Sequence, residues 1–221
     1  MNSRRAWILS ATVVAIAIGL TGCTDAITVH SLVQDSQEAP DVPAVDGRWR
    51  LAFDEDDASI LVVEHQPGDK GQCRAGTVTY IEGGDSTEYG DKVCFIDLNG
   101  QLLAEFHTTK PADFYRQYLV RIQSDRIEVC VGLPVWVMLK ELQEKRPTGY
   151  SFDSLQYTMR EQEKGDLMVI ISKPDEMRAF LAMALPELES ACDLGDGDFK
   201  WAPFERLPEE EKPTAEGAAS E

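Results

Sequence analysis

Residues 92–106 read Lys92-Val93-Cys94-Phe95-Ile96-Asp97-Leu98-Asn99-Gly100-Gln101-Leu102-Leu103-Ala104-Glu105-Phe106. Two apolar runs meet across Asn99-Gly100, a dipeptide that reaches the two positive φ angles of a type I′ turn at little steric cost. The stretch is therefore a β-hairpin. Upstream, Gly47 to Phe53 alternates Trp49, Leu51 and Phe53 with polar or small residues, Ile60 to Val63 is a continuous apolar strand, and Thr77 to Ile81 ends at the turn Gly83-Gly84-Asp85. Downstream, Tyr115–Ile122 and Arg126–Val131 predict a second hairpin, with Tyr118, Val120 and Ile122 facing Ile127, Val129 and Val131.

The hydrophobic period then changes. Val135, Met138, Leu139 and Leu142 recur at helical spacing, with Pro134 as an early helical residue and Pro147 as the stop beyond the helix. Residues 150–158 lean to a strand, and Leu167–Ile171 is another. Ser172 then reads as an N-cap with Asp175 in the place of a capping-box acid. Met177, Phe180, Leu181, Ala184 and Leu188 form the stripe of a second helix, which Pro186 bends or ends, and Phe199–Leu207 reads as a last strand. The prediction is a mainly β, α+β fold: an antiparallel curved sheet or barrel-like meander with two short helices packed on it. Trp49 and Trp201, on the first and last predicted strands, become neighbours if the sheet closes.

The chain has 221 residues and is 43% hydrophobic, enough for a packed core. Its formal net charge is -18. That excludes an unassisted nucleic-acid binder, which needs a basic stripe to displace counterions. The N-terminus accounts for little of the acidity. Arg4 and Arg5 precede the uncharged apolar run Ala6–Leu20, which is shorter than the ~20 residues of a membrane span and fits a signal-peptide core.

That run ends in Leu20-Thr21-Gly22-Cys23, which resembles the lipobox of bacterial lipoproteins. The resemblance implies cleavage between Gly22 and Cys23 and a diacylglyceryl thioether on Cys23, with a further acyl chain such as palmitate on the freed amine. More than one buried chain makes a stable anchor, at about 0.8 kcal/mol per CH₂. Thr24 in place of Asp implies the periplasmic face of the outer membrane if the organism is Gram-negative. The expected organisation is a signal peptide at 1–22, lipidated Cys23 and a flexible tether to residue 45, one β-rich domain at 46–206, and a disordered acidic tail at 207–221. Removing residues 1–22, with two arginines and no acid, leaves -20. The four acids of 24–45 and the five acids and one lysine of 207–221 leave -12 on the body. The Gly47-Arg48-Trp49 opening resembles the Gly-x-Trp start of lipocalin-like barrels. The order of elements in 46–206 also resembles small bacterial lipoproteins of uncharacterised activity.

Cys73, Cys94, Cys130 and Cys192 remain, an even number in an exported chain. Four cysteines allow three pairings. Cys73–Cys94, within one meander, with Cys130–Cys192, stapling the second helix to the sheet, is the expected one; four buried thiols are the alternative. No metal-ligand spacing is present. His30, His65 and His107 read as exposed, Asp54–Asp57 and Asp193, Asp196 and Asp198 as solvated turn acids. No hydrolase elbow or phosphate loop occurs. The expectation is a non-enzymatic, membrane-anchored envelope protein without catalytic residues, cofactor or metal, either structural or binding a small apolar ligand. The alternative is an acidic lipoprotein that captures a basic protein, as an inhibitor or immunity protein would.

Overall fold

The computed structural model describes residues 23–34, 40, 45–52, 58–64, 73–82, 85–109, 113–123, 126–130, 133–162, 165–195 and 199–208. The strands are β1 (Cys23–Thr28), β2 (Gly47–Ala52), β3 (Ala58–Glu64), β4 (Cys73–Glu82), β5 (Asp85–Tyr89), β6 (Lys92–Leu98), β7 (Gln101–Thr108), β8 (Phe114–Gln123), β9 (Arg126–Cys130), β10 (Tyr157–Gln162), β11 (Gly165–Ile170) and β12 (Trp201–Arg206). The helices are α1 (Val135–Lys145) and α2 (Pro174–Leu194), with a short 3-10 turn at Phe152–Ser154.

Eight strands close a barrel in the order β8-β7-β6-β4-β3-β2-β12-β9, and β9 returns to β8. The predicted hairpin is its centre. Leu98 pairs with Gln101 around Asn99 (φ 58°) and Gly100 (φ 90°). No atom outside the turn stands within 4 Å of where a Gly100 Cβ would be, so only the backbone objects to a side chain there. Gly100→Ala is therefore expected to cost about 1 kcal/mol in chemical denaturation, with no change in enclosed contacts. The second predicted hairpin is also present, with Val120 opposite Val129 and Ile122 opposite Ile127. Closure makes β12 the neighbour of β2, where Arg206 stands opposite Trp49; Trp201 is farther along, opposite Cys130.

Strand alternation sorts the apolar residues into two cores. Val93, Phe95, Ala104, Phe106, Val120, Ile127 and Val129 point into the barrel with Trp49, Leu51, Leu61 and Val63. Ile96, Leu103 and Leu119 point outward and are covered by α1 and α2. That is why β6 is buried on both faces at Val93–Ile96. The expected α1 stripe, Val135, Met138, Leu139 and Leu142, is buried, as is the α2 stripe from Met177 to Leu188. The expected disulfides are present: Cys73 and Cys94 are cross-strand partners on β4 and β6, and Cys130–Cys192 joins β9 to α2 with Cα atoms 6.1 Å apart. Beside the second bridge, the Arg121 guanidinium lies over the Trp201 ring and pairs with Glu189 (2.9 Å) and Asp193 (2.7 Å). Hydrogen bonds from Arg121 and Trp201 hold the Asp193 carboxyl below its ordinary pKa.

Several boundaries differ from the sequence reading. The largest difference is the expected tether. Cys23–Thr28 is a strand, parallel to β11 from Cys23 opposite Asp166 to Thr28 opposite Ile170, and joined to β8 where Thr28 faces Tyr115. Ala26, Thr28 and Leu32 have no exposed surface. With β10, these strands extend the sheet beyond the barrel. The cap of α2 is one residue later than expected: Lys173 N–H donates to Glu176 (3.1 Å), while the Ser172 hydroxyl accepts from Gln156 N–H (2.7 Å). Pro186 neither ends α2 nor interrupts its burial, since the helix runs on to Leu194. Residues 150–158 start with the 3-10 turn and become strand only from Tyr157. The signal peptide with its Gly22 cleavage position, residues 35–39 and 41–44 of the expected tether, Val131, His65, Asp54–Asp57, Asp196, Asp198 and the tail from 209 lie outside the described residues.

Candidate functional site

The barrel interior is incompletely filled. An apolar cavity of about 70 Å³ lies among Leu51, Leu61, Val78, Val93, Phe95, Ala104, Phe106, Tyr118, Val120, Ile127, Val129 and Phe204. The hairpin sets its shape. Ala104, the smallest of these residues, stands opposite Phe95 across β6 and β7 and leaves room where a larger side chain would close the space. Phe106 and Tyr118 meet edge to face at 5.6 Å. Gly76 lets β4 approach β6, because a Cβ there would stand 2.6 Å from Val93 Cγ1. The cavity is smaller than the engineered void of about 150 Å³ that takes benzene, and apolar voids of this kind stay dry.

The cavity adjoins a second, polar-edged pocket of about 160 Å³ that shares Val78, Phe106 and Tyr118 and is bounded by Asp25, Thr108 and Arg116. Arg116 Nε donates to Asp25 Oδ1 (3.1 Å) and Nη2 to Oδ2 (2.6 Å), a two-point pair fixed by the planar guanidinium. The Phe114 ring lies 4.7 Å below that guanidinium. An apolar interior therefore lies next to a pocket whose border carries one cation and one anion. That combination suits a small amphiphile, with its apolar part inside and its polar part at the pair.

The residues immediately after β1 are pinned by a buried polar network on the outer face of the same strands. The Glu105 carboxylate accepts from Ser31 Oγ (2.5 Å), from Leu32 N–H (2.8 Å) and from Gln117 Nε2 (2.8 Å). Gln117 Nε2 also reaches Thr28 Oγ1 (3.0 Å), and its Oε1 accepts from Trp136 Nε1 (2.8 Å) on α1. Burial pushes the Glu105 pKa above its ordinary value, against the opposing pull of those hydrogen bonds and of His107. From α2, Arg178 Nη1 donates to Leu32 C=O (2.7 Å). The donors and acceptors of this network satisfy one another.

The chain matches no known protein family, no curated protein and no solved structure. Geometry alone therefore speaks for the site.

Of the residues singled out in the sequence, Cys23 opens β1, and the four remaining cysteines form the two bridges. His30 is exposed, and its carbonyl accepts from Thr28 Oγ1. His107, expected to be exposed, is partly buried: it stacks on Tyr115 at 4.6 Å and reaches Asp113 at 3.3 Å. Asp193 is engaged by Arg121 and Trp201. The residues that border the pocket, Asp25 and Arg116, were not anticipated. Neither was Glu105, although the run Leu102-Leu103-Ala104-Glu105-Phe106 places an acid on the Leu103 face of a strand, a visible signal of a buried polar position.

Proposed function

We propose that the protein is a lipid-anchored envelope protein whose barrel holds a small apolar or amphiphilic molecule without transforming it. The observation that carries this reading is the apolar cavity in the barrel beside the pocket at the Arg116–Asp25 pair, with Val78, Phe106 and Tyr118 lining both. The Leu20-Thr21-Gly22-Cys23 sequence supports the anchor. No catalytic group takes part: among the described residues the pocket border offers an ion pair and a threonine, groups suited to orienting a polar head.

The cavity volume makes a demand on the ligand. It must be slender, with an apolar part of a few carbons in the barrel. Ala104→Leu adds three carbons in the middle of that space. It is expected to weaken binding of a short-chain alkyl fluorophore at least tenfold, about 1.4 kcal/mol, while stability changes by less than about 1.5 kcal/mol. Fluorescence titration and denaturation together check this. Equal affinity in both proteins would place the ligand elsewhere.

A second reading is favoured by charge. With -12 on residues 46–206, the body would attract a cationic protein, and electrostatic steering would raise the association rate. That reading requires association that weakens steeply as salt rises.

A further inference from the structure

Anchored proteins are commonly held off the membrane by a flexible segment, and the composition of residues 24–45 suggests one here. Residues 23–34, which begin at the anchor position, are built into the fold instead. Cys23 is paired with Asp166 as the first residue of β1, the register shifts by one residue between Cys23 and Asp25, and every residue from Asp25 to Thr28 is in register with β11. The Arg116–Asp25 pair holds this strand to β8, and Glu105 and Arg178 hold Ser31 and Leu32 behind it. Asp25, which borders the polar pocket, is two residues from Cys23, about 7 Å along a strand.

We infer that β1 is a rigid coupling of almost no length, which sets the Asp25–Arg116 pocket in the headgroup layer of the membrane that receives the Cys23 lipid. The partner surface is a phospholipid bilayer, and a ligand entering the barrel comes from that layer. The inference rests on the proposed anchoring of Cys23. Charge does not supply the contact: Asp166 and Glu161 stand beside Cys23 across β11 and β10. The covalent anchor holds this edge down, so the orientation is expected on zwitterionic vesicles and in high salt.

The full-length protein, lipidated in a bacterial host, is reconstituted into phosphatidylcholine vesicles carrying nitroxide-labelled headgroups. One environment-sensitive amino acid is placed at Glu161, about 10 Å and two strands from Cys23. A second is placed at Glu64 on β3, four strands from β8 around the barrel and on its opposite wall. Strong quenching at 161 and at least threefold weaker quenching at 64 is expected. A ten-residue Gly-Ser insertion after Thr24, with a reach of about 17 Å, is expected to reduce the quenching at 161. Equal quenching at both positions in protein that floats with vesicles overturns the rigid coupling and leaves the anchor standing. Failure to float, or flotation undiminished by Cys23→Ser, overturns the anchor and the coupling with it.

Discussion

Replacing Cys130 and Cys192 together by alanine is expected to lower the unfolding free energy by about 4 kcal/mol, the value for opening a loop of this length. The bridge spans 62 residues of sequence, and it joins β9, the strand that closes the barrel, to α2, the helix that covers the outer wall. Without it, Arg121 on β8 still ties α2 to the barrel through Glu189 and Asp193 and lies over Trp201 on β12, but at the surface, where such pairs contribute about 1 kcal/mol or less. The Cys73–Cys94 bridge closes only 21 residues between strands already paired, so its removal is expected to cost about 3 kcal/mol, less than the first. Urea denaturation of the two double variants gives the comparison. The opposite order would mean that β9 and α2 are held mainly by packing.

Glu105→Ala is expected to cost about 3 kcal/mol. It leaves the Leu32 N–H and one Gln117 donor buried without an acceptor, each at about 1–3 kcal/mol, and frees the segment after β1. Glu105→Gln is expected to be far milder. The Gln carbonyl can accept from Leu32 and Gln117, and its amide can donate to Ser31 Oγ. The pH dependence distinguishes charge from shape. Burial raises the folded pKa of Glu105 above its ordinary 4.5. Between the unfolded and folded values the native state binds more protons than the unfolded state, so this group's contribution falls as pH rises. The stability difference between the native protein and Glu105→Gln should therefore be most favourable to the native protein below about pH 4.5 and shrink as pH rises. Asp193 titrates alike in both proteins and cancels from the difference. Hydrogen exchange at the Leu32 amide should quicken in Glu105→Ala and stay slow in Glu105→Gln.

What was legible in the sequence was local or strictly periodic. The hairpin at Asn99-Gly100 declared itself through its turn chemistry, and α1 through the spacing of Val135, Met138, Leu139 and Leu142. Both disulfides came from an even count and from which elements each pair would join. What escaped was decided by distant partners. Residues 23–28 contain Asp25 and only short apolar stretches, and lead into an acidic, proline-bearing segment, so they read as a tether. They become a strand because β11 and β8, about 140 and 90 residues away, offer them edges. Asp25 and Arg116 acquire a role only through that pairing. Glu105 escaped because a charge on a strand ordinarily marks the solvent face, whereas here both faces are covered. Pro186 does not end α2, because a helix packed along its length can tolerate one missing N–H donor.

The most direct test is the native mass spectrum of residues 24–221 exported to an oxidising periplasm and purified without detergent. A mass two units lower for each of the two disulfides is expected, together with a fraction carrying a small apolar or amphiphilic molecule that Ala104→Leu removes. A fully oxidised protein that carries nothing, and binds no short-chain amphiphile when one is added, would contradict the ligand-binding reading and leave the acidic surface as the seat of function.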